Sequence, residues 1–348
     1  MKNILVCAVQ TPFVTGGAEI LASDLRLHLE RRGFRVDTVE VPFKWYPVSE
    51  LVRQSLVWRL FDLRESNGTP IDLVIATKHP SYIVPHPHKV TWLFHQHRQA
   101  YELYGTEYSA LEDTPKDRQI RTAIQSMDTQ ALAECRALFA ISQNVANRLE
   151  RYNGLHAEAL YPPPKHVGHY RNDGYGDYLL FVGRLDRMKR LGLALDAFAH
   201  VRSAARLKIA GTGPVEPDLR EQIARLGLDK RVDLLGFVPD ADLIPLYAAC
   251  RGAYYAPHDE DYGYITVEAF LSQKPVVTTT DSGGPLEFVT DGETGMVATP
   301  EAVAIADAID RLWAFPEARL REMGAAGRRR VEGISWDYVI DRLTETLR

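Results

Sequence analysis

The sequence predicts an α/β protein built as two successive doubly wound domains. Three observations predict this. The chain has 348 residues, more than one hydrophobic core usually organises. Short apolar, β-branched runs alternate with amphipathic helical patterns, the signature of parallel strands covered by helices. The alternation then restarts after a stiff break, Leu160-Tyr161-Pro162-Pro163-Pro164.

In the first half, residues 4–9, 36–41, 73–76, 90–94 and 138–141 read as strands. Residues 18–32 read as an amphipathic helix ended by Gly33. The apolar run at the N-terminus is short, and Gln10 and Pro12 end it. A buried first strand is therefore expected rather than a signal peptide. The proline break and the polar, Gly-rich stretch 165–177 read as a linker. In the second half, 178–182, 207–210, 232–235, 253–256 and 276–279 read as strands, with helices over 190–201 and 300–315. The expected domains are 1–164 and 165–334, with a terminal helix over 335–348. Ligands in such sheets sit beyond the carboxyl ends of the strands, so two facing edges predict a deep cleft.

Composition narrows the function. A net charge of -5 argues against a general nucleic-acid binder. Three scattered cysteines, Cys7, Cys135 and Cys250, form neither a disulfide framework nor a zinc spacing, as in a reducing compartment. No apolar stretch is long enough to span a bilayer. The expected location is the cytoplasm, with a peripheral contact on the inner membrane face as the alternative. The aromatic and basic residues of Phe43-Lys44-Trp45-Tyr46-Pro47 and of 53–59, with Trp58, suggest that contact. A helix packed on its sheet with Lys and Arg at the rim explains them as well.

The segment Glu260-Asp261-Tyr262-Gly263-Tyr264-Ile265-Thr266-Val267-Glu268 carries the strongest chemical signal. It follows a strand and opens a helix. Gly263 allows close backbone approach, and amides near Tyr264, Ile265 and Thr266 suit a diphosphate. Glu268, a turn inside, can accept both hydroxyls of a ribose, and Glu260 can reach sugar hydroxyls on the other side. Arg184 and Lys189 follow another strand, where cations stabilise a departing diphosphate. Gly183 and Gly211 lie in strand-end turns, as do Gly236-Phe237-Val238-Pro239. Thr15-Gly16-Gly17-Ala18-Glu19 joins the first strand to the first helix and allows approach by a phosphate or acceptor. His95 and His97 end a buried strand, where a metal pair is conceivable but no third ligand is near.

These elements resemble glycosyltransferase family 4. The resemblance is carried by Glu260-x7-Glu268, Lys274-Pro275-Val276-Val277, Ser282-Gly283-Gly284-Pro285-Leu286-Glu287, Asp291-Gly292-Glu293-Thr294-Gly295 and Gly183-Arg184-x4-Lys189. It is strong from about 178 to 297 and weaker over the first half. It implies the GT-B fold, with two Rossmann-like domains and the last helix crossing back onto the first. It also implies retaining transfer of a hexosyl unit from a UDP- or GDP-sugar to a glycan or lipid-linked acceptor, in cell-surface polysaccharide or lipopolysaccharide synthesis. Arg184 and Lys189 would then grip the diphosphate, and Glu260 and His95 would orient the sugar. Gly16, Gly17, Gly183, Gly211, Val238, Gly263, Tyr264, Ile265, Thr266 and Glu268 would complete the donor site. Asp259-Glu260-Asp261 and Asp240-Ala241-Asp242 are discounted as metal motifs. No cofactor beyond the sugar nucleotide and no metal is expected. Two rival readings are a catalytically weak sugar-nucleotide-binding subunit of a synthase and an epimerase acting on the donor.

Overall fold

The structure, a computed structural model, describes residues 1–13 and 16–347. Thr15, part of the first Gly-Gly turn, lies outside them. The chain divides into two compact units, Met1–Pro163 with Ser335–Arg348, and Pro164–Ile334.

In the first unit, β1 (Asn3–Gln10), β2 (Arg35–Pro42), β3 (Leu73–Ala76), β4 (Lys89–Leu93), β5 (Ala137–Ala140) and β6 (Glu158–Ala159) form one sheet. Its order is β2-β1-β3-β4-β5-β6, and all pairs are parallel. Every residue of β3 and β4 is buried, as a strand covered on both faces must be. Lys89, the first residue of β4, is fully buried. Its ammonium donates to the carbonyls of Tyr82, Val84 and Ala131 at 2.8–2.9 Å, which offsets the cost of burying charge. Helix α1 (Gly17–Arg31) buries Leu21, Ala22, Leu25 and Leu29, a stripe at helical spacing. Helices α2 (Glu50–Arg59), α3 (Pro115–Ala133) and α4 (Gln143–Asn153) follow. Thr114 and Ser142 cap α3 and α4 with their hydroxyls.

In the second unit, β7 (Tyr178–Val182), α5 (Leu191–His200), β8 (Arg206–Ala210), α6 (Glu216–Leu226) and β9 (Val232–Gly236) build one side of the sheet. Helix α7 (Asp240–Ala249), β10 (Gly252–Tyr254), α8 (Tyr264–Leu271), β11 (Val276–Thr279) and β12 (Gly295–Ala298) build the other, followed by α9 (Ala302–Ala314) and α10 (Glu317–Val331). The order is β9-β8-β7-β10-β11-β12, all parallel. The direction of winding reverses between β7 and β10, where crevices open at the carboxyl edge.

Helix α11 (Trp336–Leu343) belongs to the first unit. Ser335 caps it. Trp336 stacks on His28 of α1, with centroids 4.5 Å apart and planes 9° apart, and meets Trp92 edge-on. Val339, Ile340 and Leu343 are buried beneath it. No helix among the described residues is long and apolar enough to cross a membrane.

Candidate active site

The reversal of winding in the second unit brings two sequence-predicted residues into contact. Lys189 lies in the loop after β7, and Glu260 in the loop after the neighbouring β10. The Lys189 ammonium donates to Glu260 Oε2 at 2.5 Å and to the Tyr255 hydroxyl at 3.2 Å. Both side chains of the ion pair are less than one-fifth exposed. Burial opposes the charge on Lys189, but Glu260, Tyr255 and Asp186 outweigh it and hold its pKa above the usual lysine range. Lys189 is thus a firm cation at neutral pH, with a carboxylate and not solvent as its partner. Arg184 of the same loop is exposed.

The loop carrying Lys189 is shaped by local bonds. The Asp186 carboxylate accepts from the amides of Met188 and Lys189. Leu185 N–H donates to the Thr212 carbonyl at 3.0 Å, and Gly183 N–H to the Ala210 carbonyl at 2.9 Å. Gly211 N–H in turn donates to Gly236. At Gly211 (φ +145°) an added Cβ would stand 1.8 Å from the Gly183 carbonyl oxygen. The glycine there is required by the contact between two strand-end loops, whatever ligand lies beyond. Val238 follows in the next loop and is half-buried, while Phe237 beside it is 79% exposed.

Arg190, next to Lys189, is a clamp. Its guanidinium donates to the carbonyls of Ala256 and Pro257, to Thr279 Oγ1 and to both oxygens of Asp281, at 2.7–3.0 Å. It ties the loops after β10 and β11 to the end of β7. Burial of Asp281 works against its charge, but bonding to Arg190 wins and keeps the carboxyl below the usual range. The sequence signal was only a third cation in a short run, and nothing in it separated Arg190 from its neighbours.

Helix α8 starts at Gly263, whose φ of +87° is left-handed. A Cβ there would meet Tyr255 Cε1 at 2.8 Å and Pro285 Cγ at 3.1 Å, so only glycine fits. As a glycine, the cap residue has no side chain of its own to bond the helix start. Tyr264 and Ile265 begin the helix, and the Ile265 side chain reaches within 3.8 Å of the position a Gly183 Cβ would take. Thr266 departs from expectation. Its amide donates to the Gly263 carbonyl at 3.0 Å and so is not open to a diphosphate, while its hydroxyl is buried. The 3₁₀-like first turn consumes the third amide. Glu268, one turn on, accepts from the Tyr247 hydroxyl at 2.6 Å. Burial raises its pKa, and hydrogen bonding by Tyr247 and Tyr170 offsets this in part.

The first unit also departs from expectation at its Gly-Gly turn. The Glu19 carboxylate reaches back to accept from Gly16 N–H at 2.9 Å and pairs with Lys78 at 2.6 Å. The amide read as a phosphate donor is therefore satisfied by the helix's own acid, a capping box. Gly17 is exposed as the first residue of α1.

His95 lies just past β4, half-buried. Its Nδ1 contacts the Gln96 carbonyl at 2.7 Å, which makes Nδ1 a protonated nitrogen. His97, its competitor, is packed against Phe43 and His79. Burial, then His79 and His95, push its pKa down to about 3, so it is neutral at pH 7. Beneath lies a buried network that sequence reasoning missed. Asp128 contacts His79 Nδ1 at 3.1 Å and accepts from Tyr101 at 2.7 Å. Among the described residues no group of three or more His, Cys, Asp or Glu side chains is placed to hold a metal.

The aromatic-basic segment follows the packed-helix reading at Trp58. Trp58 is 1% exposed and belongs to the core, while Trp45 and Tyr46 are 38% and 60% exposed. Arg59 is committed to a two-pronged pair with Glu134.

Two parallel doubly wound units with a site at a winding reversal define the GT-B fold. Solved structures agree over essentially the whole chain. Sucrose-phosphate synthase from Thermosynechococcus elongatus has a TM-score of 0.78 at 18% identity, covering 100% of this chain and 99% of that one. HepE of Anabaena, solved with UDP and glucose, has a TM-score of 0.71 at 18% identity, with the same coverage.

The family model described as glycosyl transferases group 1 matches residues 169–330, most of the second unit. O-antigen chain mannosyltransferase C of Escherichia coli is 26% identical over 243 residues, 66% of this chain and 65% of that protein. The human alpha-1,3/1,6-mannosyltransferase ALG2 is 29% identical over 170 residues, 44% of this chain and 40% of that one. The chain thus spans less than two thirds of the length of these curated relatives.

Proposed function

We propose that this chain is a retaining glycosyltransferase, which moves a hexosyl unit from a UDP- or GDP-sugar to a glycan or lipid-linked acceptor in cell-surface polysaccharide synthesis. One observation carries the reading. Lys189, Glu260 and the glycine-started helix α8 with Glu268 lie on neighbouring loops at the winding reversal of the second unit. A cation of raised pKa, a glycine-capped helix start and a carboxylate one turn in suit a diphosphate followed by a ribose. The names of the relatives support glycan substrates.

In this reading Lys189 exchanges its carboxylate partner for the donor diphosphate. Exposed Arg184 adds a second cation, and the α8 start adds amides at Tyr264 and Ile265. Together they stabilise the negative charge that grows on the leaving nucleotide. Glu260, released from Lys189, turns to the hydroxyls of the transferred sugar, and His95 helps to orient that sugar. Neither glutamate is a covalent nucleophile. The leaving phosphate oxygen takes the acceptor proton on the same face, so the anomeric configuration is kept. Gly183, Gly211, Val238 and Gly263 shape the loops around the nucleotide. No metal takes part, because side-chain cations do the work of one. Contact with the inner membrane face through Trp45 and Tyr46 is compatible with this reading but is not needed by it.

The test is a thermal-shift screen against UDP-, GDP- and ADP-sugars, since a ligand bound only by the folded state raises the melting temperature. One donor should stand out, and Lys189→Ala should remove most of its shift. NMR of the product should show a retained anomeric configuration. An inverted product, or turnover lost to a chelator and restored by manganese, would overturn the mechanism. Conversion of the donor without an acceptor to an epimeric sugar nucleotide would favour an epimerase.

A further inference from the structure

Glu268 is held by a side chain that no family motif includes. Tyr247, on α7, is 1% exposed, and its hydroxyl donates to Glu268 Oε2 at 2.6 Å. A phenol in this position has few alternatives, because its ring is packed. Tyr170 meets it edge-on with centroids 5.9 Å apart and is itself only 8% exposed. Tyr170 faces the same carboxylate. Asp240, the first residue of α7, is paired with Lys165 and His166, which fixes the start of the helix that carries Tyr247. That helix follows directly on the Gly236–Pro239 loop.

An ionised carboxylate on the first turns of a helix has several rotamers, and a partly buried one resists ionisation. A short bond from a buried phenol answers both problems. It selects one rotamer and favours the charged, acceptor-only form that can take two hydroxyl protons. We infer that Tyr247 is a positioning residue for the donor nucleotide, locking the Glu268 carboxylate in the orientation that accepts the ribose hydroxyls. This rests on the donor-site reading above. Tyr170 supports the lock from its other side.

The inference is tested by titration calorimetry of the full chain with UDP and GDP and with their 2′-deoxy and 2′,3′-dideoxy counterparts. For the ribonucleotide that binds, Tyr247→Phe should weaken affinity about tenfold, since a hydrogen bond to a charged group is lost. For the dideoxy counterpart the loss should shrink to within twofold. The acid limb of the affinity-pH profile should also move to higher pH. Glu268, which faces Tyr247, Tyr170, His166 and Asp240, then loses the bond that favours its ionised form. Tyr170→Phe should repeat this pattern more weakly, and it serves as the reporter if Tyr247→Phe does not fold. Equal losses for ribo- and dideoxynucleotides, or no loss at all, would reduce Tyr247 to a packing residue. Glu268→Gln separates the two levels of the reading. If it weakens the binding of ribo- and dideoxynucleotides equally while Lys189→Ala still weakens both, the ribose assignment fails and the diphosphate site stands. If UDP and GDP both fail to bind the wild type, the donor-site reading itself falls.

Discussion

The two units solve the same topological problem in opposite ways. In each, the winding reverses between two neighbouring strands, and an acid–lysine pair bridges the reversal. In the first unit Glu19, after β1, pairs with Lys78, after β3, at 2.6 Å. In the second, Lys189 and Glu260 pair at 2.5 Å. The difference lies in the helix start. Glu19 also bonds the cap amide of its own helix, so the positive end of α1 has its anion already. Helix α8 is capped by a glycine and carries no capping box, and the acid before that glycine is engaged with a lysine. A helix start that carries its own carboxylate is closed to anions, and one whose carboxylate can be exchanged for a phosphate is open.

The sharpest way to break this comparison is to remove each lysine. Lys189→Ala should weaken sugar-nucleotide affinity by about 100-fold, as expected when a desolvated charge partner is lost. Lys78→Ala should leave that affinity within about twofold and cost about 1 kcal/mol of stability. Calorimetry and thermal melts on both variants check this, and equal effects on binding would erase the distinction.

The glycines come next. Gly263→Ala forces a Cβ into left-handed backbone and to within 2.8 Å of Tyr255, so about 2–3 kcal/mol of stability should be lost. Gly16 has an ordinary φ of −135°, and Gly16→Ala should cost under about 1 kcal/mol. Chemical denaturation resolves the two.

The amino edges of the sheets provide a third contrast. Each hides a lysine, Lys89 at the start of β4 and Lys274 just before β11, both fully buried. Lys274 donates to Asn172 Oδ1 and the Gly174 carbonyl and lies over the Tyr175 ring, yet burial pushes its pKa down to about 8. The unfolded chain therefore binds more protons between pH 8 and the ordinary lysine value of 10.5. Stability from this group rises with pH across that window, by about 1–3 kcal/mol. Lys274→Met should flatten the rise in denaturant midpoint between pH 8 and 10. The smallest effect is expected at Glu19→Gln, which keeps a side chain able to bond Gly16 and should cost about 0.5–1 kcal/mol.

Much of the scaffold was legible because period and punctuation report it directly. Buried parallel strands are continuous apolar runs, and the triple proline at 162–164 marks the change of unit. The Lys189–Glu260 pairing was half-legible. Both residues stood out by motif, but their contact arises from strand order, which no local pattern encodes. Arg190, Tyr247 and the His79–Asp128 pair were missed because their importance comes from what lies across the sheet. Gly16 and Thr266 misled for the opposite reason. Their positions at helix starts suggested open amides, and one side chain and one tight turn closed them. Trp58 took the packed-helix side of its two readings, since an aromatic beside arginines reads the same whether its helix turns it inward or out.

The return of the chain to its first unit has one more consequence. The second unit leaves after Pro163 and ends at Ile334, so it is an insertion held by two peptide crossings rather than a tail held by one. A stop codon after 334 would spare every strand of the inserted unit. It would instead strip the lid from Trp92 and His28, and the lesion would surface in the half of the molecule farthest from it in the sequence.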